Sequence, residues 1–113
     1  MNMNDYEKIA LSTLSDGQDF GDIPPKLVDQ VFGLVGESGE VAEKFKKLIR
    51  DKKGVLTSDD KAEIIKELGD VLWYITTISH LLGSSLQDVA RTNNQKLLSR
   101  KSRGQIGGSG DNR

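Results

Sequence analysis

An all-α fold, four helices arranged as a bundle-like single domain, follows from three features of the sequence. Apolar residues recur at helical spacing through most of the chain. Capping and turn residues fall between those stretches. Aromatic residues are only 5% of the composition and there are just two prolines, which suits helices better than a β-sandwich. The length, 113 residues, fits one domain. The expected division is a helical domain over residues 1–101 and a glycine-rich, flexible tail over 102–113.

The first segment, from about Asn4 to Leu14, spaces Tyr6, Ile9, Ala10 and Leu14 as one helix face. It is short and needs a surface to pack on. Asp16 to Pro25 holds Gly17, Gly21 and the Pro24-Pro25 pair and reads as a loop. A second helix is expected from about Lys26 to Arg50, with Leu27, Val28, Val31, Phe32, Leu34, Val35, Val41, Phe45, Leu48 and Ile49 on one side of its wheel. Gly33, Gly36 and Gly39 interrupt it, each at a cost of up to ~1 kcal/mol against alanine; close approach of a neighbouring helix or of a ligand would account for them. Gly54 suits the end of that helix, and Thr57 or Ser58 caps the next. The third helix runs from about Asp59 to Leu82 with Ile64, Ile65, Leu68, Val71, Leu72, Ile75 and Ile78 as its stripe. Gly83 stops it, and Ser84 or Ser85 starts a fourth helix that continues to about Arg100. The tail from Ser102 to Arg113 has four glycines and only Ile106 to bury, so by itself it cannot offset the entropy of ordering.

Sixteen basic against 17 acidic residues leave a net charge of −1, so no general field gathers nucleic acid or an anionic membrane, and neither is expected as a partner. The chain has no cysteine, which excludes disulfides, thiolate catalysis and a sulfur-ligated zinc site. The polar start, Met1 to Ala10, does not read as a secretory signal, and no apolar run approaches the ~20 residues that span a bilayer. A cytoplasmic location is the expectation. A domain this small buries a modest share of its surface, which favours self-association.

The chemistry concentrates in two short segments: Gly36-Glu37-Ser38-Gly39-Glu40 on the second helix and Glu67-Leu68-Gly69-Asp70 on the third. Each places acids at i and i+3, hence on one helix face. Glu67 lies beside the apolar stripe with Asp70 about 60° further round, and Glu37 flanks its own stripe with Glu40 nearer the polar side. Helices packed on those stripes bring the four acids to a shared edge. Clustered anions repel and call for a cation; magnesium, a hard ion that takes oxygen ligands and shares its sphere with water and phosphate, suits them. Single acid pairs of this kind are common on solvated faces. Two pairs on adjacent helices, each with an internal glycine and each beside the core edge, make a more specific signal.

The run Gly36-Glu-Ser-Gly-Glu-Val-Ala-Glu43, followed by Glu67-Leu-Gly-Asp-Val-Leu-Trp-Tyr74, closely resembles the MazG-like nucleotide pyrophosphohydrolases, an all-α family. The resemblance extends to Tyr6-Glu-Lys-Ile-Ala10 and to Asn93-Asn-Gln-Lys-Leu97 with Arg100, in order along nearly the whole chain. Its specific part is ExxE followed, after 26 residues, by ExxD. The resemblance implies cleavage of a nucleoside triphosphate between its α- and β-phosphates. Glu37, Glu40, Glu67 and Asp70 would hold Mg2+, with Mn2+ as a substitute, and would form the catalytic centre. Asn93, Lys96 and Arg100 would contact substrate, and one helical turn separates them, so they project from one face. It further implies a homodimer or homotetramer with sites near subunit contacts. The chain departs from some relatives in carrying Gly36, where they have a doubled acid at the start of the first motif.

Further residues are candidates for the same site. Lys47, with Lys44 and Lys46, follows the first acid pair by about two turns, within reach of a phosphate, although solvated charges near a helix end are the simpler reading. Trp73 lies off the stripe and suits a subunit contact or a base-stacking surface. The tail's glycine amides would cradle a phosphate with Arg103 or Arg113 closing over it. His80, the one histidine, sits where a cation favours the helix dipole and is read as structural. Two other functions compete. A redox carboxylate bundle needs ExxH pairs, which are missing here. A non-enzymatic helical interaction module with a solvated acidic face would tolerate loss of any of the four acids.

Overall fold

A computed structural model describes all 113 residues. Four helices make up the chain: α1 (Met3–Ser12), α2 (Pro25–Lys52), α3 (Ser58–Leu81) and α4 (Leu86–Ser102). Each begins where the local chemistry satisfies its free amides. At α1 the Asn2 side chain accepts from the Asp5 amide while Asp5 returns the bond to the Asn2 amide. Thr57 and Asp60 form the same reciprocal box at the start of α3. Ser85 caps α4 through the Asp88 amide. α2 has no side-chain cap; Pro25 at its first turn lacks the amide that would need one. It runs two residues past Arg50 and turns off at Lys53, which takes a left-handed conformation (φ 52°) with Gly54 following at φ 78°.

The long pair α2 and α3 forms an antiparallel hairpin that is the body of the molecule, and α4 packs on α3. The expected close approach at Gly33 is real: a β-carbon there would fall on the Tyr74 ring of α3. Next to this contact, Thr77 Oγ1 donates to Gln30 Oε1 across the pair at 2.7 Å. At the far end of the hairpin, Lys52 Nζ lies 3.1 Å from Asp60 Oδ1. These three ties fix the register that sets the acids of α2 opposite those of α3.

α1 does not lean on the longer pair within the chain; it touches no other helix. Its Tyr6, Ile9 and Leu11 stay exposed because the Gly- and Pro-containing connection carries it away from the hairpin. The single chain therefore does not close a four-helix core by itself. Only Leu48, Ile64, Ser79 and Arg100 are buried, while Phe32, Val35, Ile49, Ile65 and Leu98 lie two-thirds exposed or nearly so. No helix is long and apolar enough to cross a membrane.

Candidate metal and phosphate site

Glu37 projects from the middle of α2, and Glu67 and Asp70 from the facing turn of α3. One carboxylate oxygen from each lies within 4.8 Å of the others. Glu37 and Glu67 are half-buried and Asp70 is exposed. Partial loss of solvation and then the charges of Asp70, Glu67 and Glu40 together raise the Glu37 carboxyl above its ordinary range. Three carboxylates from two helices thus meet at one edge of the hairpin, where packing on the apolar stripes predicts four. Glu40 does not join that oxygen cluster. It sits one turn on, exposed, close enough for its charge to act on Glu37. Around Gly36, Gly39 and Gly69 a β-carbon would meet nothing within 4 Å, so the backbone beside the acids borders open space.

Lys44 belongs to this site more closely than its reading as a solvated charge suggested. Its Nζ lies 3.8 Å from Glu67, and both side chains are largely covered. The signal was present in the sequence: Lys44 follows Glu37 by seven residues, two turns along the same face. Lys47 lies further on, in a mixed-charge groove with Lys52, Asp51, Asp60 and Glu63. Trp73 is exposed and meets Tyr74 edge-to-face, ring centres 4.9 Å apart.

On α4, Asn93 and Lys96 help to line a cleft of about 560 Å³ against α3, whose other walls include Leu72, Ile75, Leu86 and Val89. The clustered acids are not part of that lining. Lys96 is half-buried and Arg100 is 5% exposed. Both point to the tail. Asp111 Oδ1 lies 2.8 Å from Lys96 Nζ and 3.4 Å from Arg100 Nη2, and these cations hold its carboxyl below the usual range. Arg100 Nη2 also donates to the Asp111 carbonyl at 2.7 Å, but its Nε is buried without a partner. Arg103 and Arg113, the other cations proposed for phosphate, are engaged within the tail. Arg103 donates to Ser99 Oγ and to the Arg113 carbonyl, and Arg113 donates to the carbonyls of Ile106, Gly107 and Gly110.

The acid geometry and the cationic face are accompanied by sequence relationships. The profile of the MazG nucleotide pyrophosphohydrolase domain matches residues 30–104, from early α2 to just beyond α4. The chain belongs to that family. It is 52% identical over 81 residues to the Gene 37 protein of Mycobacterium phage L5, a match covering 72% of this chain and 71% of the phage protein. It is 33% identical over 72 residues to YvdC of Bacillus subtilis (strain 168), described as an uncharacterized protein, over 59% of this chain and 68% of that one. No solved structure matches the chain.

Proposed function

We propose that this chain is a magnesium-dependent nucleoside triphosphate pyrophosphohydrolase, releasing a nucleoside monophosphate and pyrophosphate and serving nucleotide-pool control or house-cleaning. The observation that carries the reading is the meeting of Glu37, Glu67 and Asp70 oxygens within 4.8 Å. The donor set fits a hard divalent ion, being all oxygen, and after partial burial the charges of Asp70, Glu67 and Glu40 add to raising the Glu37 carboxyl. When bound, such an ion neutralises phosphate charge and makes a coordinated water more acidic. Glu37, Glu67 and Asp70 would hold it, with Glu40 one turn along α2 at the rim; Mn2+ has the same ligand preference. Lys44 steadies Glu67 and offers a charge beside it. Lys96 and Arg100 grip phosphate oxygens, the guanidinium through paired donors and the ammonium as a compact charge. Asn93 supplies a polar contact from the same face of α4.

A second copy of the chain completes the picture. A folded monomer of this mass exposes about 6,100 Å² on average, whereas this chain exposes 9155 Å². Its radius of gyration is 20.1 Å, against about 13 Å for a compact domain of this length. An excess of about 3,000 Å² per chain, about 6,000 Å² over two chains, reaches the upper end of obligate interfaces. A homodimer or homotetramer would cover the apolar stripes of α1, α2 and α3.

The reading is tested by resolving products with phosphorus NMR after incubation with each of the eight common triphosphates. Monophosphate and pyrophosphate should appear with Mg2+ and not with EDTA, and Glu67→Gln should slow the reaction by about 100-fold or more. Diphosphate and phosphate as products, or an unimpaired Glu67→Gln, would refute it. The interaction-module alternative expects no pyrophosphate with any triphosphate.

A further inference from the structure

The tail sets a carboxylate on the cations that the reading above assigns to phosphate, and this inference rests on that assignment. We propose that the tail is a built-in ligand: Asp111 occupies the Lys96–Arg100 pair in the free protein, and a phosphate-bearing ligand takes the same pair by displacing residues 104–113.

The fit of Asp111 is incomplete in an informative way. A single oxygen, Oδ1, serves both cations, at 2.8 Å from Lys96 and 3.4 Å from Arg100. A guanidinium offers Nε–H and one Nη–H side by side, a fork that matches two oxygens of one anion. Here only the Nη2 limb is used, by Asp111 and the Gly110 carbonyl, and Nε is left buried and unbonded. Buried donors are nearly always satisfied. A phosphate group has enough oxygens to fill both limbs of Arg100 and still face Lys96, which lies one turn away on α4. It also carries more charge than one carboxylate.

The contact is made to be released. The Asp111 side chain is 82% exposed, whereas that of Arg100 is 6% exposed. The cationic partner is therefore held in place by the fold while the anionic one sits in water, where ion pairs are weak and screened. The tail is nevertheless shaped to present it. Arg113 gathers the carbonyls of Ile106, Gly107 and Gly110, and Gly108 (φ 101°) and Gly110 (φ 86°) take left-handed turns that other residues adopt at a cost. Arg103 closes the loop on the Arg113 carbonyl at 2.8 Å.

The test uses the full chain with inorganic pyrophosphate in EDTA, so that the acid cluster binds no cation. In 1H–15N NMR spectra the amides of residues 104–113 should be dispersed in the free protein. They should collapse to sharp, random-coil signals as pyrophosphate saturates, and sodium chloride at the same ionic strength should not reproduce the change. Asp111→Asn, which removes the carboxylate and keeps the main-chain bonds of Arg100, should loosen the tail without ligand and bind pyrophosphate tighter, by up to about fivefold, because the competing state is weakened. Pyrophosphate that binds while the tail amides stay dispersed would overturn the proposal. So would an Asp111→Asn chain with unchanged affinity, or failure of both chains to bind pyrophosphate. Triphosphate hydrolysis, assayed separately, isolates the two ideas: tail release without hydrolysis sinks only the enzymatic reading, and hydrolysis with an unmoved tail sinks only this one.

Discussion

Glu37 is the residue on which charge and packing meet. Its carboxyl is raised by partial burial first and then by Asp70 and Glu67. A folded-state value above the unfolded one means that the chain takes up a proton on folding. The associated stability is present in full below the unfolded value, about pH 4.3, and is lost as pH rises through the folded value. Glu37→Gln should therefore melt at a higher temperature than the parent at pH 7 without divalent ions, and the difference should vanish near pH 4. With Mg2+ present the order should reverse, because only the parent gains from the ion; thermal melts in EDTA and in Mg2+ check both halves. The chemistry around this residue was legible in the sequence, because spacing sets Glu37, Glu67 and Asp70 on facing edges once α2 and α3 pack on their apolar stripes. The separation of Glu40 from the oxygen cluster was foreshadowed only by its place toward the polar side of α2. Gly33 is a purely steric counterpart. Gly33→Ala should lower the unfolding free energy read from denaturant titration by about 1–3 kcal/mol through collision with Tyr74.

At the scale of elements, the α2–α3 hairpin is what turns two sequence motifs into one site. Its register is held at one end by Gly33 against Tyr74 and by Thr77 against Gln30, and at the other by the ion pair of Lys52 with Asp60, which the box with Thr57 fixes in place. Hydrogen bonds from the Thr57 amide, from its hydroxyl and from Lys52 lower the Asp60 carboxyl to about 2. A depressed carboxyl stabilises the fold above its unfolded value, near pH 4, and that contribution fades as pH falls from there toward 2. Asp60→Asn should melt below the parent at pH 7 and converge with it near pH 2, as measured by circular dichroism. The helix positions were legible because apolar spacing and caps are local. α1 begins at Met3 rather than Asn4 because the Asn2–Asp5 box precedes Tyr6, the first residue of the apolar stripe, a cue in the sequence that apolar spacing alone does not reveal. α2 passes Arg50 because Lys53 accepts a left-handed turn ahead of Gly54, and no local pattern signals that. The contacts of the tail have no period to read. They depend on where Lys96 and Arg100 point once α4 has packed on α3.

For the whole molecule, the dominant fact is how little one chain buries. Much of each stripe that defined a helix in the sequence stays exposed, Phe32, Val35, Ile49 and Ile65 among it, and periodicity shows which residues seek cover without showing what covers them. α1 makes the point most sharply, a helix with an apolar face and no helix of its own chain against it. Self-association implies a melting temperature that rises with protein concentration, since folding and assembly are then one equilibrium. Phe32→Lys, at a position 70% exposed in the single chain, should be nearly neutral, within about 0.5 kcal/mol, if that surface meets only water. In an assembly it should lower the mass found by light scattering and the melting temperature together.

The most direct measurement is a Mn2+ titration followed by electron paramagnetic resonance, in which free ion gives the signal and bound ion loses it. The parent chain should bind saturably, and Glu67→Gln should bind more weakly by about tenfold or more, with helix content unchanged. Equal binding by both chains, or none by the parent, would contradict this, since the three carboxylates on α2 and α3 would then not share an ion.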